Sequence, residues 1–309
     1  MTFSRHGYIC SVLMCCSFRN EHQVLSAVCS MSALQQFEKD EQFMRLVRRE
    51  RDVDLVVAGL EIARDEQPDL NFEPTLTRIR TAVSELTRPI ALAGDETSKL
   101  KLLIQYLTDE LNLHGHYESF DSAESSYLNR VVETGRGVPI SLSVIYMAIA
   151  NELGIPLVGV AAPSHFLTQL QTDYGVVYVD PFRSGHVMDE AECIEWLHDL
   201  TELPISEIRP TLRPASERRI ILRVLNNLKA FYGGREKWRA AWKVQQRLAV
   251  LCPGSYREKR DLAILSLRAG RAGAAITHLE DCIAVCTPEE RQVLQQHLKE
   301  AHKEAPRYN

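Results

Sequence analysis

The 309-residue sequence lacks any apolar run approaching the ~20 residues that a membrane-spanning helix needs, which argues against a membrane protein. It also lacks an excess of positive charge. Its 36 Lys and Arg stand against 41 Asp and Glu, for a formal charge of −5, so it carries no electrostatic footprint for nucleic acid. No CxxC occurs among its eight cysteines. Cys10, Cys15, Cys16 and Cys29 crowd the first 30 residues, while Cys193, Cys252, Cys282 and Cys286 are scattered. Neither Cys15-Cys16 nor Cys282/Cys286 has the second half that a zinc site requires. The late four are expected to be small core residues in a reducing compartment, which places the protein in the cytoplasm. His114, His116, His165 and His186 fit no known metal-site spacing, and no metal or cofactor is expected.

What is present, 45% apolar and 25% charged residues, is enough for two domains. The first 30 residues stand apart. Arg5 followed by YICSVLMCCSF has the apolar length of a signal peptide, but Cys15-Cys16-Ser17 interrupts it and no A-x-A-like site follows. Residues 1–30 are therefore expected to be an unstructured extension, with the folded protein beginning at Met31.

From Ser32 to about Glu118 the apolar period is helical. Phe37, Met44 and Val47 mark a first helix, and Leu55, Val56, Leu60 and Ile62 a second. Leu76, Ile79, Val83 and Leu86 mark a third, ended by Pro89. Asp95 is placed to cap a fourth, carrying Leu102, Leu103, Tyr106, Leu107 and Leu111. The next helix, opened by Gly137-Val138-Pro139 and closed by Gly154 and Pro156, is apolar nearly all round and so predicted to be mostly buried. Three short β-rich runs follow: LVGVAA, HFLTQLQ and VVYVD. The last two form a predicted antiparallel hairpin. A loop over 172–175 pairs residue 171 with 176, which makes Asp180 the diagonal neighbour of His165 on one face of the sheet. An aspartate that accepts one imidazole N–H leaves the other ring nitrogen available as a base.

Prolines 204, 210 and 214 suggest a linker, and beyond it the chain repeats. Leu228 recurs at Leu262, Ala241 at Ala275 and Leu248 at Cys282, each 34 residues on, and Pro253 recurs at Pro288. That period, with small residues where two helices cross, is the tetratricopeptide pattern. Two repeats are expected, with flanking helices at 215–224 and 288–303. Lys237, Arg239, Lys243 and Arg247 read as a solvated face of the first repeat, and Trp238 and Trp242 as packing.

GVPISLSVIYMAIANELGIP, then PSHFL, then VYVDPF resemble the core of a transglutaminase-like, papain-like domain. That core has a glycine-x-cysteine helix start, a histidine strand and a Val-Asp-Pro strand. The resemblance implies that His165 and Asp180 stand at the catalytic histidine and aspartate, while Pro139 stands where the cysteine belongs. The longer string SSYLNRVVETGRGVPISLS, with DPFRSG, is similar to the SirB-type family, in which such a core precedes tetratricopeptide repeats and Gly-(Ile/Val)-Pro-Ile-Ser-Leu is itself the signature. It points to Arg136, Tyr127 and Asn129 as binding residues. Ser125 stands where the family usually has asparagine, and Ser164 and Ser184 where it has glycine.

The fold class is thus α+β, with a helical lead-in and transglutaminase-like domain over 31–203 and all-α tetratricopeptide-like repeats over 215–309. The expected function is non-catalytic: a regulatory or interaction protein that binds a protein or peptide, with no nucleic-acid or membrane partner. The alternative is an amide hydrolase or acyltransferase using Ser141 as nucleophile, His165 as base and Asp180 as orienter. Residues 1–30 hold no periodic apolar face, so deleting them should leave the melting temperature unchanged. A drop of several degrees by differential scanning fluorimetry contradicts this.

Overall fold

A computed structural model describes residues 34–305; the expectation for residues 1–30 lies outside them. The described chain divides into two compact units, each discontinuous in sequence. The first comprises Glu73–His116 and Arg130–Ile220; the second comprises the residues up to Phe72, Tyr117–Asn129, and those from Ile221 onward.

In the first unit, α3 (Glu73–Leu92) buries Ile79, Ala82, Leu86 and Ile90 along one stripe. (Helices α1 and α2, Glu41–Val47 and Leu55–Ala63, belong to the second unit.) Pro89 does not end α3, as the sequence suggested, but sits exposed inside its last turn. A proline there forfeits a single hydrogen bond, and its ring points into solvent. Helix α4 (Glu96–Asp109) starts where expected, with the Asp95 carboxylate accepting the Ser98 N–H at 2.8 Å. The two-residue strands β1 (His114–Gly115) and β2 (Arg136–Gly137) pair in parallel. Between them lies α5 (Leu128–Thr134), within which the chain passes from the second unit back to the first.

Helix α6 (Pro139–Glu152) buries eleven of its fourteen residues. It packs on α3, on the first strands of the sheet and on the turn Pro181–Arg183. That sheet is antiparallel, ordered β3 (Val158–Val160), β4 (Leu167–Thr172), β5 (Gly175–Asp180) and β6 (His186–Met188). The hairpin register is the one derived from loop length, with Gln171 opposite Val176. Strand β6 was not anticipated; three residues on a sheet edge leave too short an alternation to read.

Helix α7 (Glu190–Thr201) is capped reciprocally by Asp189 and Glu192. It lays Cys193, Ile194 and Leu197 against Val160, Leu167, Tyr178 and Met188. Ile208, from the short helix α8 (Ile205–Ile208), and Leu212 complete this cluster. Residues 204–214 are therefore not a linker. Their prolines shape a turn that buries two large side chains and then borders the sheet, where the Ala215 N–H donates to the Gly159 carbonyl at 2.8 Å.

The second unit contains α9 (Glu217–Gly234, which the chain enters from the first unit), α10 (Trp238–Leu251), α11 (Tyr256–Arg268), α12 (Ala272–Val285) and α13 (Pro288–Glu304). The segment expected as a flanking helix at 215–224 is the opening of α9, the first helix of the first repeat. Ala241 and Ala275, the repeated small residues, are wholly buried, as are Leu228 and Leu248. Helix α2 is capped by Asp54, which accepts the Val56 and Val57 N–H groups. The N–H groups of Gln42 and Phe43, at the start of α1, are instead taken by the Glu61 carboxylate of α2, at 3.0 and 2.7 Å.

Arg247, expected on a solvated face, is only 1% exposed. Its Nε–H and Nη2–H donate to the two oxygens of Asp65 at 2.6 and 2.8 Å, and Nη2–H also reaches Asp40 Oδ2 at 2.7 Å. The Glu61 carbonyl accepts from it at 2.9 Å, and the rings of Phe37 and Phe43 flank its guanidinium. Breaking a buried pair from one side strands the opposite charge, at a cost of about 3–5 kcal/mol. Arg247→Ala, and Arg247→Met despite its better fill, should therefore both lower the unfolding free energy obtained from urea denaturation by that much. A loss under about 1 kcal/mol in either would show that the network contributes no more than a surface ion pair.

Candidate functional site

Two glycines bring the chain to the start of α6. Gly135 has φ +75°, and a Cβ there would meet the Asn112 carbonyl at 2.3 Å. A Cβ on Gly137 would lie 2.8 Å from both Ser141 Oγ and the Leu142 side chain. Pro139 takes the first helical position, where a missing N–H costs nothing and φ is preset. With valine at the N-cap, the capping is done by Ser141. Its Oγ accepts the Val138 N–H at 3.0 Å, and its hydroxyl donates to the Val138 carbonyl at 3.0 Å. Ser141 is fully buried.

His165 and Asp180 come together. Imidazole Nε2 lies 2.9 Å from Asp180 Oδ1, and both residues are buried. The partnership matches the expectation although His165 precedes β4, in the loop before Leu167. Asp180 Oδ1 also accepts the backbone N–H groups of Phe182 and Arg183, at 3.0 and 3.4 Å, so the carboxylate caps the turn that follows it. Ser164 and Ser184 both have positive φ, +56° and +53°. That is the conformation in which glycine is unstrained, which explains the glycine usual at these places.

Around this pair stand residues that the sequence reading passed over. Trp196 and Phe182 meet the imidazole edge-on, with centroids 5.0 and 6.0 Å away, and the Arg183 guanidinium lies over the Trp196 ring. On α6, Ser143 and Tyr146 follow Pro139 by four and seven residues and so share its face. Both are fully buried, and neither Ser143 Oγ nor Tyr146 Oη has a hydrogen-bond partner among the described residues; the same holds for Asp180 Oδ2. Burial, and then the charge of Asp180, raise the Tyr146 hydroxyl pKa; the same causes, in the same order, push the Cys193 thiol up to about 12. Tyr146 and Ser143 had one legible signal, polar atoms in a helix with no solvent face.

The other candidates are dispersed. Arg136 is exposed on β2. Tyr127 and Asn129 belong to the second unit. There the Tyr127 hydroxyl bonds with that of Tyr232, and the Asn129 amide donates to Gln67 Oε1 at 2.8 Å. His114 and His116 bring their Nε2 atoms to 2.9 Å, but among the described residues no three His, Cys, Asp or Glu side chains are grouped to hold a metal.

A buried helix with a glycine-led start, backed by a histidine in the loop before one strand and an aspartate at the end of the next in a small antiparallel sheet, and accompanied by helical repeats, defines a transglutaminase-like domain followed by tetratricopeptide repeats. Family comparison agrees: residues 73–226 match the transglutaminase-like superfamily and residues 228–299 the tetratricopeptide repeat. The chain belongs to the UPF0162 family. It is 34% identical over 229 residues to a UPF0162 protein of Xylella fastidiosa, covering 73% of this chain and 82% of that one. It is 27% identical to Protein SirB1 of Salmonella typhimurium, covering 67% and 79%. It is also similar to F-box only protein 21 of Mus musculus, at 28% identity over 46% of this chain and 22% of that protein. No solved structure matches it.

Asp180 satisfies three donors, whereas His165 loses one bond when truncated. Asp180→Ala is therefore expected to destabilise more than His165→Ala, which should cost about 1–3 kcal/mol in urea unfolding; the reverse order would show that the carboxylate is not the anchor. In native protein, Cys193 should resist iodoacetamide at pH 8 while the less buried Cys252 reacts, as read by peptide mass mapping.

Proposed function

We propose that this protein is a non-catalytic, regulatory or interaction protein that binds a protein or peptide partner through a degenerate transglutaminase-like site and its helical repeats. One observation carries the reading: at the start of α6, proline occupies the nucleophile position, and the first hydroxyl after it, Ser141, both donates to and accepts from the Val138 backbone. A serine so engaged is a cap, and attack would require its proton to leave the Val138 carbonyl for a base. The repeats support the binding half, because tetratricopeptide repeats generally mediate protein interactions. No described helix is long and apolar enough to cross a membrane. Cys193, Cys282 and Cys286 are buried thiols outside any disulfide, as suits a reducing, cytoplasmic setting.

The intact His165–Asp180 bond favours the second reading, an amide hydrolase or acyltransferase with Ser141 as nucleophile. Activity-based probes separate the two. A fluorophosphonate probe should leave Ser141 unmodified, and Pro139→Cys should create little amidase turnover. Labelling of wild-type Ser141 that disappears in His165→Ala would replace the non-catalytic reading with the enzymatic one.

A further inference from the structure

In the second unit, a cleft runs along the edge of the repeat stack as two adjoining chambers of about 550 and 560 Å³. Glu66, Arg239, Ala240, Ala269 and Gly270 are common to both. Lys243, Arg271 and Trp242 line one chamber, and Lys237 and Arg268 line the other. The walls thus carry five cations against two carboxylates, Glu66 and Glu236, on a chain whose net charge is negative. One of those carboxylates is already spent, since Lys243 Nζ lies 3.0 Å from Glu66 Oε1. Arg239, Arg271, Arg268 and Lys237 are exposed and make no ion pair among the described residues.

The geometry adds three further features. The Arg271 guanidinium stacks 3.8 Å over the Trp242 ring, which holds the cation flat and leaves its N–H edge for an acceptor. The Trp242 indole N–H is itself held by Ser266 Oγ at 3.1 Å, so the ring is fixed. Helices α10 and α12 begin at this cleft with Lys237 and Arg271 as their N-caps, neither making a side-chain cap bond. Helix starts favour acidic residues because the helix dipole is positive there; basic caps instead add to that potential. The small floor of Ala240, Ala269 and Gly270 admits a backbone.

We propose that this cleft binds an acidic peptide segment of a partner protein, with Arg239 and Arg271 each holding a carboxylate. The proposal rests on the reading of the repeats as a partner-binding stack and names the chemistry of that contact. The cations are distributed along both chambers rather than converging on one point. That arrangement suits successive carboxylates on a chain better than a single phosphate, and fork-shaped guanidinium groups match carboxylates bidentately.

The test uses the full chain and a fluorescein-labelled peptide of about ten residues alternating Glu with Leu, followed by fluorescence anisotropy. Binding should weaken as salt rises, and by roughly tenfold or more in Arg239→Glu/Arg271→Glu and to a lesser extent in Arg239→Gln/Arg271→Gln. Both pairs are exposed, and circular dichroism checks that the variants fold. A Gln-for-Glu peptide should not bind. Equal affinity in wild type and the double variant, no binding of the acidic peptide, or saturation by inorganic phosphate that the peptide cannot displace would each overturn the proposal. If a partner from the native host is captured equally by wild type and the double variant, the repeats keep their binding role and only this cleft is removed as its site.

Discussion

Helix α6 has no face to give to water. A helix that is apolar all round is stable only when every side is covered, and the first unit is arranged to do this. Helix α3, the strands β3 and β4 and the Pro181–Arg183 turn supply the covering surfaces. With each large apolar side chain worth about 1.5–3 kcal/mol on burial, this one helix accounts for much of the driving force for the unit. The constraint also fixes the site. A helix surrounded on all sides cannot rotate or slide without exposing an apolar side chain, so Pro139, Ser143 and Tyr146 have a fixed direction.

That fixed helix helps explain how the histidine–aspartate pair is held by packing alone. The His165–Asp180 bond is held by the fold: Asp180 is anchored by the backbone of the turn that it caps, and the imidazole is wedged between Trp196 and Phe182. None of these contacts needs a nucleophile. Proline at the helix start and a serine cap behind it strengthen the helix, and the unit keeps three buried oxygens, on Ser143, Tyr146 and Asp180, without a hydrogen-bond partner among the described residues.

The second unit depends on a different device. Arg247 joins α10 to Asp65 and Asp40, 182 and 207 residues earlier in the chain, and a buried guanidinium is tolerable only because two carboxylates, a carbonyl and two aromatic rings surround it. Lys237, Arg239, Lys243 and Arg247 look alike in the sequence, and three of the four do reach solvent or a surface cleft. The fourth differs through its neighbours alone.

What the sequence by itself determined was whatever short-range physics controls. The cap at Asp95 is local, because a carboxylate three residues from an N–H needs no other partner. The hairpin register follows from loop length, since a period of two leaves no freedom once Gln171 opposes Val176. The burial of α6 follows from its unbroken apolar surface, and the repeats from a recurring alanine where two helices cross. Tertiary structure alone decided the fate of individual polar groups and irregular segments. Whether Arg247 is solvated or buried, whether the Ser141 hydroxyl is available or locked, and whether 204–214 links or packs all depend on what the rest of the chain lays over them. Desolvation is a property of that covering, and the residues that do the covering lie far away in sequence.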